Sequence, residues 1–259
     1  MEIKNTRYAD ADISYRVAGD GRTVLLIHGF GEDGDIWNRQ ADHLINNCRL
    51  IIPDLPGSGR STINSLQPGM ENYAAAIRSI LDAEQVNSCS MIGHSMGGYI
   101  TLAFAERYPQ RLSSFGLVHS SAYADSEEKK EARRKAITFI QKNGAYEFLK
   151  TSIPGLFTNQ EVSYASDLVE KGRHFTPEAL TGYYEAMIAR PDRTEILKKF
   201  NGPVLFIMGV HDNAVPFTQS LQQCYLPARS HIHILRNSAH MGMVEETDNT
   251  NNFLLQFLS

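Results

Sequence analysis

The chain has 259 residues, 42% hydrophobic and 21% charged, the composition of a globular protein rather than a disordered one. Twenty-five lysines and arginines against 29 acidic residues leave a net charge of −4, which argues against nucleic acid or an anionic membrane as a partner. No apolar run approaches the roughly 18 residues of a membrane span. Cys48, Cys89 and Cys224 are too few and too scattered for a disulfide framework or a structural zinc site.

The opening MEIKNTRYADADISYRV is charged and lacks a secretory-type apolar stretch, so the expected location is the cytoplasm, with reduced, mostly buried thiols. Short apolar runs that end at turn residues then mark strands at 13–17, 24–27, 50–53, 89–93, 115–119, 204–209 and 231–235. Continuous runs such as TVLLIHG, RLIIPD and VLFIMG have the pattern of strands buried on both faces. Helical spacing fills the gaps at 36–45 and 73–81, and a helix at 96–108 stops before Pro109. Strands alternating with helices predict an α/β fold: a mostly parallel central sheet flanked by helices.

The alternation breaks after His119. Residues 125–135, DSEEKKEARRK, read as a solvated helix face, and the region closes with a helix that Thr176 caps and Pro177 begins. The expected organisation is a core in two parts, 1–120 and 196–259, around an inserted all-helical cap at 121–195.

In such sheets ligands bind beyond the carboxyl ends of the strands, so the residues just after each strand carry the chemistry. The 89–93 strand runs into Gly93-His94-Ser95-Met96-Gly97-Gly98 and then a helix. A serine at that sharp turn is lifted clear of the backbone, and glycines two residues away let the chain pass closely. A hydroxyl is a weak nucleophile until a histidine takes its proton, and the imidazole needs a carboxylate to fix its tautomer. Asp212 follows the 204–209 strand and His240 follows the 231–235 strand, giving the order Ser95, Asp212, His240. Asp125, beyond the 115–119 strand, is an alternative acid, and His211 shares a loop with Asp212. His94 is expected to support the turn and Asp54 to hold a loop. An oxyanion needs two donors: the Met96 N–H at the helix start and the Phe30 N–H in His28-Gly29-Phe30-Gly31. Neither glycine cluster has the spacing of a nucleotide-binding loop.

HGFG at 28–31, DLPGSGRS at 54–61, GHSMGG at 93–98, GVHDNAVP at 209–216 and SAHM at 238–241 together resemble the α/β-hydrolase superfamily, in its compact capped branch of carboxylesterase and lactonase-like enzymes. The resemblance spans the chain apart from the cap. It implies Ser95 as nucleophile, Asp212 as acid and His240 as base, with Phe30 and Met96 amides as oxyanion hole and no metal or organic cofactor. Relatives that cleave carbon–halogen bonds or epoxides carry aspartate where Ser95 stands. The implied activity is therefore a serine hydrolase acting on a small-to-medium, largely apolar carboxylic ester, thioester or lactone. Two alternatives stay open: hydrolysis of a carbon–carbon bond next to a ketone, and a slow-turnover small-molecule receptor. Phe139, Tyr183 and Met187 of the cap are candidate substrate-binding residues. The oligomeric state is not legible.

Overall fold

The structure, a computed structural model, describes residues 1–63, 67–158 and 162–259. Eight strands form one sheet: β1 (Glu2–Tyr8), β2 (Ala11–Ala18), β3 (Arg22–Ile27), β4 (Cys48–Pro53), β5 (Cys89–His94), β6 (Leu112–Val118), β7 (Val204–Gly209) and β8 (Ser230–Leu235). Their order is β1-β2-β4-β3-β5-β6-β7-β8, with β2 antiparallel to both neighbours and every pair from β4 to β8 parallel. The central strands are buried on both faces, as Leu25, Leu26 and Ile27 or Met91 and Ile92 show, which is why their sequences do not alternate.

Sequence patterning places seven of these strands and misses β1. That strand is a polar edge, EIKNTRY, paired on one side only, so no buried face imprints a hydrophobic period on it. The strand expected at 115–119 is displaced: β6 starts at Leu112 and ends at Val118. Ser114 hides in it by bonding Ser90 Oγ at 2.7 Å. His119 falls outside the strand, in a left-handed conformation with φ 49°.

The core helices are α1 (Asn38–Leu44), α2 (Met70–Ala83) and α3 (Met96–Arg107). The β3–α1–β4 crossover moves one way along the sheet and the β4–α2–β5 and β5–α3–β6 crossovers move the other. Right-handed connections therefore put α1 on one face and α2 with α3 on the opposite one. The direction reverses between β3 and β5, and the crevice beyond their carboxyl ends is where such sheets bind ligands.

Between β6 and β7 the chain is helical: α4 (Glu127–Asn143), α5 (Ala145–Ser152), α6 (Val162–Lys171), α7 (Pro177–Ala189) and α8 (Thr194–Lys199). Ser126 caps α4 by accepting from Lys129 N, and Thr176 caps α7 by accepting from Ala179 N, with Pro177 at its first position. The chain ends with α9 (Phe217–Gln223), α10 (Gly242–Glu245) and α11 (Thr247–Leu258). Cys48, Cys89 and Cys224 are buried and unpaired. Among the described residues no helix is long and apolar enough to cross a membrane.

Candidate active site

Ser95 stands between β5 and α3 with φ 50° and ψ −116°, a backbone that non-glycine residues adopt only when their surroundings force it. The forcing contacts are visible. The Ser95 N–H donates to Val118 O at 2.9 Å, and Ser120 Oγ–H donates to Ser95 O at 2.7 Å. A Cβ on Gly93 would sit on the Gly97 carbonyl, and one on Gly97 would sit on Ile27 O, so both positions need glycine.

The structure brings the three expected side chains together. Ser95 Oγ lies 2.8 Å from His240 Nε2, and His240 Nδ1 lies 2.8 Å from Asp212 Oδ2. A carboxylate facing Nδ1 places the proton there and leaves Nε2 to accept from the serine hydroxyl. Asp212 Oδ1 accepts from Ala214 N at 2.9 Å and Val215 N at 2.8 Å. Burial works to raise the Asp212 pKa, but the imidazoles of His240 and His119 hold it well below the usual carboxylate range. The loop bearing His240 is fixed at both backbone groups. Its N–H donates to Leu156 O at 2.9 Å, and its carbonyl lies 3.0 Å from His94 Nε2.

Two residues to which the sequence gives no role take part. His119 Nδ1 lies 3.1 Å from Asp212 Oδ2, while Gly242 N–H donates to His119 Nε2 at 3.2 Å. The Gly242 donor fixes the tautomer: Nε2 is unprotonated, and Nδ1–H donates to the carboxylate. Burial lowers the His119 pKa and keeps the ring neutral despite its acid neighbour. The signal in the sequence is a histidine at a strand end, the same kind of place that identifies Asp212. Glu32 is the second. Its Oε2 accepts from Gly29 N at 2.7 Å and pairs with His94 Nδ1 at 3.0 Å, at side-chain exposures of 2% and 0%. Burial disfavours charge on either group. Their mutual attraction outweighs it, raising the His94 pKa and lowering that of Glu32, so the pair is ionic. His94 thus ties the elbow to the loop after β3 and to the carbonyl of His240.

Phe30 and Met96 occupy the two sides of the crevice, after β3 and at the first position of α3. Neither backbone N–H has a hydrogen-bond partner among the described residues. The Phe30 ring is clamped from above, stacked on Tyr184 at 4.3 Å and edge-on to Phe148 at 6.2 Å.

A cavity of about 220 Å³ opens on Ser95 and His240, walled by Phe30, Leu156, Tyr184, Met187 and Val215, with Lys129 and Arg133 on one side. It is smaller than the ~300–1,000 Å³ of drug-sized ligand sites. Of the three substrate-binding candidates, Met187 lines it. Phe139 does not: it is 41% exposed on the outer side of α4. Tyr183 does not either; it is fully buried and donates its O–H to Pro56 O at 2.7 Å, tying α7 to the loop after β4. Helical spacing marks all three as apolar but cannot say which side faces Ser95. Asp125 is no partner of His240. It is buried between Arg133 and Arg190, at 2.7 and 2.9 Å. Asp54 holds its loop, accepting from Gly34 N at 3.0 Å and Arg60 N at 3.0 Å. A larger cavity, about 480 Å³, lies behind that loop and shares no lining residue with the Ser95 pocket.

The ligand atoms of His119, Asp212 and His240 fall within 4.8 Å of one another, a spacing that could hold a cation. Both Nδ1 atoms donate to the same Asp212 oxygen, however, and the far nitrogens are engaged by Gly242 and Ser95. A metal there would have to displace both N–H···O bonds, so the cluster reads as a hydrogen-bond network.

The family model for the alpha/beta hydrolase fold matches residues 22–247. Lipase 3 of Moraxella sp. is 28% identical over 97% of this chain and 83% of its own length. A 2-hydroxy-6-oxo-6-phenylhexa-2,4-dienoate hydrolase of Comamonas testosteroni is 25% identical over 99% of this chain and 94% of its own. Among solved structures, a malate-bound thermophilic esterase from Thermogutta terrifontis superposes with a TM-score of 0.91 at 25% identity, covering 100% of this chain and 98% of that one.

Proposed function

The chain belongs to the alpha/beta-hydrolase family, and from that premise we propose that it is a serine hydrolase of the carboxylesterase type, working through an acyl-enzyme on Ser95. The observation that carries this reading is the unbroken chain of contacts from Ser95 Oγ to His240 to Asp212, each 2.8 Å. Ser95 Oγ attacks the ester carbonyl as His240 Nε2 takes its proton, and Asp212 stabilises the imidazolium that forms. The Phe30 and Met96 amides receive the negative charge on the carbonyl oxygen. His240 gives the proton to the leaving alcohol, then takes one from water, which attacks the acyl carbon; as the acyl–Oγ bond breaks, His240 returns that proton to Ser95 Oγ and the acid leaves. The helical segment 121–195 acts as a cap over the pocket, and Tyr184 stacked on Phe30 supports this role.

The test is steady-state hydrolysis of p-nitrophenyl esters from acetate to laurate by the wild type and Ser95→Ala. Sustained turnover lost in the variant, with a fluorophosphonate labelling only the wild type, is the expected result; turnover retained by Ser95→Ala would overturn the reading. A second reading, cleavage of a carbon–carbon bond beside a ketone, has the name of the Comamonas relative in its favour. It predicts faster turnover of vinylogous diketones than of simple esters.

A further inference from the structure

The pocket beside Ser95 carries two cations that ester hydrolysis does not itself require. Lys129 and Arg133 stand one turn apart on α4 and line the same cavity as Ser95 and His240. Arg133 is held in place: its Nε donates to Asp125 Oδ2 at 2.7 Å, and its guanidinium carbon lies 5.4 Å from the Tyr184 ring centroid. That bond uses one of five N–H groups. The four on Nη1 and Nη2 have no hydrogen-bond partner among the described residues, although the side chain is only 13% exposed. Lys129 Nζ donates to Ala214 O at 2.8 Å, which leaves two N–H groups unused.

The acids nearby do not neutralise this wall. Asp125 is shared by Arg133 at 2.7 Å, Arg190 at 2.9 Å and Lys129 at 4.0 Å, three cations around one carboxylate. Glu32, the one acid among the described residues that line the cavity, is committed to His94 at 3.0 Å. A fixed, part-desolvated guanidinium with unused donors is a receptor for a planar anion, because two parallel N–H···O bonds match a carboxylate.

We infer that the natural substrate is a compact ester or lactone bearing a free carboxylate, which Arg133 and Lys129 hold while its scissile carbonyl faces Ser95. This rests on the serine-hydrolase reading and adds to it the charge of the substrate. The small cavity restricts the spacer between the two groups to a few carbons, and the unused donors of the two cations set the preference for an anion over an equally shaped neutral group.

The test compares monomethyl glutarate with methyl 5-methylhexanoate, whose isopropyl group replaces the carboxylate at the same chain length, by methanol release. The wild type is expected to favour the anion in kcat/KM by about 10- to 100-fold, the range of one or two charge-assisted hydrogen bonds. Arg133→Gln is expected to bring that ratio to within about threefold, and Lys129→Gln, at a more exposed site, to lower it in part. Equal kcat/KM for the two esters in the wild type overturns the inference and leaves the serine-hydrolase reading intact. So does an equal fall for both esters in Arg133→Gln with no change of ratio. Saturation-transfer NMR on Ser95→Ala reads binding without turnover. Monomethyl glutarate bound in preference to the neutral ester supports the anion site even where neither ester is hydrolysed, and equal or absent binding of both overturns it.

Discussion

Glutamine in place of Glu32 tests the buried ion pair that joins the elbow to the loop after β3. Glu32 and His94 have side-chain exposures of 2% and 0%. Glutamine keeps the volume and leaves an oxygen for the Gly29 N–H, but removes the charge that keeps His94 protonated. Burial then favours neutral His94, whose Nδ1 accepts from the new amide while Nε2–H still donates to His240 O. The fold survives, and the loss is a charge-assisted pair exchanged for a neutral hydrogen bond, about 1–3 kcal/mol. The sign with pH follows from the two shifts. The Glu32 pKa is lowered, so its contribution is complete above the ordinary 4.5 and is lost as pH falls through the folded value. The His94 pKa is raised, so its contribution is complete below the ordinary 6.5 and is lost as pH rises through the folded value. The gap between wild type and Glu32→Gln is therefore widest between those two values and narrows in alkali. At roughly 2–4 °C of Tm per kcal/mol for a chain of this size, it amounts to about 2–12 °C near its maximum. Calorimetry across the pH range measures the gap, and ¹⁵N NMR of the ring reports the charge on His94. A gap that stays constant from mild acid to alkali, or a neutral His94 ring in mild acid, would refute the ionic reading.

Other expectations follow from the same geometry. His119→Phe removes the Nδ1–H donor to Asp212 and leaves the Gly242 N–H buried without an acceptor, which costs about 1–3 kcal/mol by urea unfolding; kcat/KM on p-nitrophenyl acetate should fall about tenfold, the rate equivalent of ~1.4 kcal/mol. Gly97→Ala places a methyl group on the carbonyls of Ile27 and His28 and pushes the first turn of α3 off the sheet. It should lower stability by about 1–3 kcal/mol and reduce activity by more than that figure implies, because the Met96 N–H moves with the turn. Tyr183→Phe breaks the bond to Pro56 O and should cost about 1–2 kcal/mol in denaturation, while esterase activity stays within about twofold; a large rise in KM would restore Tyr183 as a substrate-binding residue.

Legibility followed the spacing of the constraint. Ser95 could be read because its two glycines and the flanking strand and helix lie within a dozen residues, and each is needed for local reasons: a carbonyl at Gly93 and at Gly97 leaves no room for a Cβ. Asp212 and His240 could be read because each lies in the loop that follows a strand that is itself legible. Glu32 obeys no such local rule, and His119, although it directly follows β6, falls inside the strand expected at 115–119. Glu32 is one acid in the run Glu32, Asp33, Asp35, and only the fold brings it to His94, 62 residues away. His119 reads as a strand residue because Val118 precedes it, and its role depends on Asp212, 93 positions on.

The charge run on α4 shows the limit most sharply. As sequence, DSEEKKEARRK is a solvated face, and for Glu127, Glu131 and Arg134 that is what it is. A helix has more than one face, and a run of charges hides which of its members point inward. The i, i+4 pair Lys129 and Arg133 turns toward the Ser95 pocket because Asp125, buried just before the helix, takes the Arg133 Nε, and the Ala214 carbonyl, supplied by the loop after β7, takes the Lys129 ammonium. Each contact joins the inserted helices to residues placed by the sheet, or to an acid whose burial depends on them. The hydrophobic period of α4 carries no trace of either, since Ile140 is the one residue of the helix that is fully buried. The charge of a substrate is thus set where composition reads only solubility, by two side chains that the tertiary fold selects from the run.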